Sequence, residues 1–287
     1  MADDHSKEIA TLEREYSPSS CIDDIAPFLH QYDVQSRDAI KRLGKQSHID
    51  VKYGPEPRAA LDIFVPRGDG PFPVHVFIHG GYWQELSKAE SRFAAPNFID
   101  HEVMFIALDY TLAPAASLFQ IVDQVRRGVL WILERIAAYG GDPANITLSG
   151  SSAGAHLVAE ILSSDWRKAG YSQCPVRGAC AVSGIYDLRP LVPTYINAPL
   201  KLSEEDAAAL SPLFHIPRNA CPVIFSYGEN ETPAFKKQTR DYRAAWRAAG
   251  HAESYIDMPG FNHFDVILQL NNRRSPLFQA ILAQISQ

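Results

Sequence analysis

Two short stretches of this chain carry residue types suited to acyl transfer. Gly150-Ser151-Ser152-Ala153-Gly154 fits G-x-S-x-G, with Ser152 at its centre. An apolar run, Ile146 to Leu148, precedes it, and a helix-like run, Ala153 to Leu162, follows. That strand–turn–helix setting holds a serine on a sharp, exposed elbow. His79-Gly80-Gly81-Tyr82-Trp83 follows another strand-like run, Val74 to Ile78. Glycines there can turn backbone N–H groups toward a carbonyl oxygen that is becoming an oxyanion. Gly80, Gly81 and Ala153, the residue after the serine, are the candidate donors, with the Tyr82 N–H a further one. Tyr82 and Trp83 are expected to wall the pocket, where they can stack on an aromatic substrate.

A serine hydroxyl is a weak nucleophile until a base takes its proton. In a G-x-S-x-G architecture the partners follow in the order serine, acid, histidine. Val223–Tyr227, a late strand-like run, leads into Gly228-Glu229-Asn230-Glu231, and the last such run leads into Pro259-Gly260-Phe261-Asn262-His263. Turn-forming residues flank both candidates, as expected of side chains presented at strand ends. His263 is therefore the expected base. His156, one turn past Ser152, reads as packing, His215 lies in the 189–219 insertion, and His251 closes a helix at its surface. Glu231 is the expected acid, with Glu229 the alternative; Asp265 follows the histidine too closely to reach round it.

Eight strand-like runs position these residues: Ile49–Tyr53, Leu61–Val65, Val74–Ile78, Val103–Leu108, Ile146–Leu148, Ala179–Ser183, Val223–Tyr227 and Ser254–Met258. Ile121, Val125, Val129, Ile132 and Ile136 share one helical face, and Gly140-Gly141 punctuates that helix's end. Early strands followed by β–α alternation predict a mostly parallel sheet with an antiparallel edge. Residues 1–45 read as a helical N-terminal extension. The stretch 189–219 lacks a clear strand and is long for a connection, so it reads as a cap insertion over the site, contributing Leu191, Tyr195 and Ile196. The whole, 1–287, is expected to form one domain.

Composition narrows the classes. The chain has 287 residues, 46% hydrophobic and 21% charged, enough for a sizeable core. With a net charge of −6 and no long basic run, nucleic acid is not an expected partner. The N-terminal residues are polar, unlike a secretory signal, and no apolar run approaches the roughly 18 residues of a membrane span. Cys21, Cys174, Cys180 and Cys221 are scattered, without C-x-x-C, as in a cytoplasmic protein with reduced thiols. The chemistry calls for no cofactor and no metal. The partner is a small-molecule substrate, and a homodimer is left open.

His79-Gly80-Gly81-Tyr82-Trp83 resembles the H-G-G-x-W motif of kynurenine formamidases (arylformamidases), within the α/β-hydrolase superfamily. The resemblance covers nearly the whole chain. Leu12 to Ser19, Tyr53-Gly54 with Leu61 to Pro66, Ser151 to His156, Ser183 to Pro190 and His263 to Asp265 are each similar to segments of that family. It implies an α/β-hydrolase fold and hydrolysis of an N-formyl aryl amine such as N-formylkynurenine. Ser152 would be the nucleophile, His263 the base, and Glu231 would stand where the family usually has Asp. Relatives with these motifs include esterases, so a carboxylesterase acting on small-acyl esters is the second reading. A non-enzymatic binding protein on the same fold is a third, disfavoured because every part of the triad is present.

Overall fold

The computed structural model describes residues 2–287, with side chains from Ser6 onward. In chain order the elements are α1 (Ala2–Glu15), α2 (Ala26–Leu43), β1 (Ser47–Lys52), β2 (Ala60–Phe64), β3 (Phe72–Ile78), α3 (Ala95–Asp100) and β4 (Met104–Leu108). Then follow α4 (Leu118–Arg135), β5 (Gly141–Ser151), α5 (Ala153–Ser163), β6 (Gly178–Val182), α6 (Asn197–Leu200) and α7 (Glu204–Ala209). The chain closes with β7 (Val223–Gly228), α8 (Pro233–Ala248), β8 (Glu253–Met258) and α9 (Pro276–Ile285).

The strands form one sheet in the order β1-β2-β4-β3-β5-β6-β7-β8. β2 runs antiparallel to both β1 and β4, whereas β3 to β8 are mutually parallel. Each run expected to be a strand falls on one of the eight.

Side-chain alternation along the strands feeds two apolar layers. Val74, Val76 and Ile78 of β3 face the layer that α4, α5 and α8 cover, while Phe77 faces the layer under α2, α3 and α9. α4 shows why its stretch is helical. Ser117 and Gln120 form a reciprocal capping box, and Ile121, Val125, Val129 and Ile132 are fully buried on one stripe. A short 3₁₀ turn then ends at Gly140, whose φ of 84° is open to glycine at little cost.

The N-terminal helices pack on other helices, α1 on α8 and α2 on α3. Residues 13–19, at the end of α1 and just past it, reach the 189–219 stretch: Ser17 Oγ lies 2.5 Å from Tyr195 Oη, and the Tyr195 N–H donates to Glu13 Oε1 at 3.0 Å. Thr232 Oγ1 donates to Glu15 O at 2.6 Å, which ties the same segment to the start of α8.

Candidate active site

Ser152 sits between the end of β5 and the start of α5, with φ 56° and ψ −120°. A non-glycine residue there is strained, by about 1–3 kcal/mol, and persists only where surrounding structure dictates it. The two motif glycines supply that structure. A Cβ on Gly150 would lie 2.3 Å from Gly154 O, and one on Gly154 would lie 2.0 Å from Ile78 O. Only without those carbons can α5 start this close to β3 and β5. The Ser152 N–H donates to Val182 O at 2.9 Å, which fixes the elbow against β6.

Glu231 lies between β7 and α8, and His263 follows β8. His263 Nδ1 is 2.8 Å from Glu231 Oε2, and the Glu231 side chain is 1% exposed. Glu231 Oε1 accepts from Ser183 Oγ at 2.5 Å and from the Gly228 N–H at 2.7 Å, so one carboxylate oxygen is spent on anchoring and the other on the imidazole. The two loops are stitched together, with Asn230 N donating to Phe261 O at 2.8 Å. Gly228 permits the approach, since a Cβ there would be 2.5 Å from Phe261 O. The Glu229 alternative separates cleanly: its carboxylate accepts from the exposed Gly260 N–H at 2.7 Å instead. Asp265 accepts from the Asn262 N–H at 2.6 Å and shapes the turn that carries His263.

Ser152, His263, Gly80, Gly81 and Tyr82 line one cavity of about 280 Å³. Gly80 packs against the elbow, for a Cβ there would lie 3.2 Å from Ser152 Cβ. Gly81 has φ 94°, and a Cβ would meet Glu85 O at 2.4 Å. Ala153 begins α5, so its N–H is one of the donors a helix leaves without an internal partner.

Trp83 requires a correction. It does not wall the cavity but is fully buried in the core, its ring set edge-on to His156 at 5.0 Å. Tyr82 at φ 50° and Trp83 at φ 60° are consecutive left-handed residues whose rings pack edge-on at 5.9 Å, with Tyr82 in the cavity lining and Trp83 in the core. Leu191 is likewise fully buried and absent from the lining, whereas Tyr195 and Ile196 belong to it. His156 packs in the core as expected: its Nε2 is 2.8 Å from Leu210 O, and burial pushes its pKa down to about 4.

Sequence reasoning missed two contributions. Ser183, which orients Glu231, has φ 54° at the end of β6, and its signal was no more than a serine after a strand. Ser17, Pro18, Ser19, Leu29 and Tyr32 form a wall of the cavity, although their segment shows no pattern of chemical residues.

The fold and this cavity define an α/β-hydrolase, and the protein is a hydrolase. Residues 61–245 match the family model BD-FAE. The chain is 35% identical to kynurenine formamidase of Danio rerio, with 100% of both chains covered, and it belongs to that family. It is 27% identical to isoprenylcysteine alpha-carbonyl methylesterase ICME of Arabidopsis thaliana, over 85% of this chain and 63% of that protein. Among solved structures it is similar to a candidate thioesterase from Silicibacter sp. TM1040. That match has 28% identity and a TM-score of 0.83, covering 96% of this chain and 99% of the other. Among the described residues no helix is long and apolar enough to cross a membrane.

Proposed function

We propose that this hydrolase removes the formyl group from N-formyl aryl amines, with N-formylkynurenine as the leading substrate. The observation that carries the reading is the 2.8 Å contact of His263 Nδ1 with Glu231 Oε2 beside Ser152. Full-length identity of 35% to a kynurenine formamidase supports the substrate class.

Because Glu231 occupies Nδ1, Nε2 is the nitrogen left to take the Ser152 proton. Ser152 Oγ then attacks the formyl carbon, and the carbonyl electron pair moves onto oxygen. The N–H groups of Gly80, Gly81 and Ala153 receive that oxyanion. As the intermediate collapses the C–N bond breaks, and His263 gives its proton to the departing aryl nitrogen. The free arylamine leaves formyl-Ser152 behind. Water, deprotonated by His263, attacks this ester and releases formate and Ser152.

A formyl carbon bears only hydrogen and needs no acyl chamber, so the cavity is free for the aryl group. At about 280 Å³ it sits near the low end of small-molecule sites. Tyr32, Phe77, Tyr82 and Phe93 contribute aromatic side chains to its lining. The apolar depth also favours a second reading, a carboxylesterase that places an acyl chain there. All four cysteines are free thiols, which supports a reducing compartment such as the cytoplasm.

The deciding experiment measures kcat/KM for N-formylkynurenine beside p-nitrophenyl esters of two to eight carbons. The formamidase reading expects turnover of N-formylkynurenine and an advantage of acetyl over octanoyl of at least about tenfold. An optimum at six or eight carbons would overturn it in favour of a lipase-like esterase. An acetyl optimum without turnover of N-formylkynurenine would select the second reading.

A further inference from the structure

A second histidine–carboxylate pair stands behind the glycine loop. His79, just past β3, has a buried side chain whose Nδ1 lies 2.9 Å from Gly80 O and whose Nε2 lies 3.2 Å from Asp109 Oδ1. A carbonyl and a carboxylate only accept, so both contacts are hydrogen bonds at once only when each ring nitrogen carries a proton. Asp109 Oδ1 also accepts from Arg58 Nη2 at 2.7 Å and from the Tyr110 N–H at 3.0 Å. Burial raises the Asp109 carboxyl, but hydrogen bonds and charge from His79 and Arg58 outweigh it and hold the group below its ordinary range. Arg58 is itself fixed, because Nη2 donates to Leu86 O at 2.6 Å. Tyr110 stacks on the His79 ring at 4.2 Å and donates its hydroxyl to His79 O at 3.0 Å.

The geometry of one peptide converts this chain into an effect at the site. In a trans peptide the C=O and the next N–H lie in one plane and point in opposite directions. A hydrogen bond that pins Gly80 O therefore sets the direction of the Gly81 N–H. That peptide adjoins the nucleophile, since a Cβ on Gly80 would be 2.8 Å from Ser151 O and 3.2 Å from Ser152 Cβ. We propose that Arg58, Asp109 and His79 form a positioning chain that aims the Gly81 N–H at the oxyanion. The proposal rests on the serine-hydrolase reading above. All three residues act through the peptide and not on the reacting atoms.

The test uses full-length Asp109→Asn, Arg58→Gln and Arg58→Lys. The readouts are kcat and KM on p-nitrophenyl acetate, inhibition by phenylboronic acid, which forms a tetrahedral adduct on the serine, and inhibition by benzyl alcohol, which forms none. Asp109→Asn is expected to lower kcat about 10–100-fold with KM within about twofold, and to weaken boronate by the same factor while benzyl alcohol is unaffected. Arg58→Gln should show the same pattern more weakly, and Arg58→Lys should recover most of the loss. A folded Asp109→Asn enzyme with kcat within about twofold of the parent would overturn the proposal. So would a rise in KM and loss of benzyl alcohol binding that track the fall in kcat. If Asp109→Asn does not fold, Arg58→Gln decides, and an unchanged kcat and boronate affinity there overturn the proposal. Should the parent enzyme itself form no tetrahedral boron adduct by boron NMR, the hydrolase reading fails, and this proposal with it.

Discussion

Two imidazoles on either side of Ser152 each face a buried carboxylate, and they differ in one nitrogen. Among the described residues His263 gives Nδ1 to Glu231 and no hydrogen-bond partner holds its Nε2, whereas His79 has Asp109 at one nitrogen and Gly80 O at the other. A ring with an open nitrogen can take up and release a proton, while a ring held at both can only hold. The same pair of residue types thus yields a proton carrier at the end of β8 and a brace at the end of β3. A third pair, on α5, is neither. His156 Nε2 and Glu160 Oε1 are 3.9 Å apart, and burial drives both toward neutrality, lowering the histidine to about 4 and raising the carboxyl to about 7.

The strongest break in this comparison removes the open nitrogen or its target. Ser152→Ala and His263→Ala should each cost about 10⁴–10⁶ in kcat while circular dichroism stays unchanged. A folded variant of either kind within tenfold of the parent would end the mechanism. Next comes the acid: Glu231→Gln should lower kcat by about 10³–10⁴. Glu229→Gln is the matched control and should leave kcat within about twofold, because its carboxylate meets only the exposed Gly260 N–H. A reversal of these two results would move the acid to Glu229. The brace residues follow, with the smaller kcat-only losses expected of Asp109→Asn and Arg58→Gln.

A weaker effect concerns the substrate's tail. The described residues of the cavity lining include Glu85 and Glu90 and no lysine or arginine, so a carboxylate on the substrate faces carboxylates rather than a lysine or arginine there. The decarboxylated analogue N-formylkynuramine should then show a KM lower than that of N-formylkynurenine by about two- to tenfold. Equal KM values would show that the amino-acid tail stays in solvent.

The smallest effect separates the third pair from the other two. Glu160 is raised from its ordinary 4.5 to about 7 by burial. The folded protein keeps a proton that the unfolded chain gives up in that window, so this residue's contribution to stability falls as pH rises from about 4.5 to 7. Glu160→Gln should therefore raise Tm at pH 8 by about 2–4 °C, change nothing at pH 4, and leave kcat intact. A Tm gain of equal size at both pH values would show that charge on Glu160 is not the cause.

These pairs also mark where the sequence was legible. The elbow serine could be read because G-x-S-x-G answers a local steric demand, visible in the 2.0 Å and 2.3 Å approaches that Gly154 and Gly150 permit. His263 could be read because chain order and turn residues place it after the last strand. The eight strands followed from apolar runs between turn signals, and the α4 stripe from its spacing. Trp83 could not be read, since adjacency to the glycines says nothing of which way a left-handed residue turns its ring. Nor could the brace. Arg58, Asp109 and His79 come from three separate segments, and nothing local announces that they meet.

The wall contributed by Ser17 to Tyr32 alters what can be inherited from a family match. The matched span of 61–245 holds the glycine loop, the elbow and Glu231, but neither that wall nor His263. Two proteins can share the whole span and still differ in the surface that touches the leaving group. An exchange of this segment between homologues is therefore expected to change one wall of the cavity and leave Ser152, Glu231 and His263 in place.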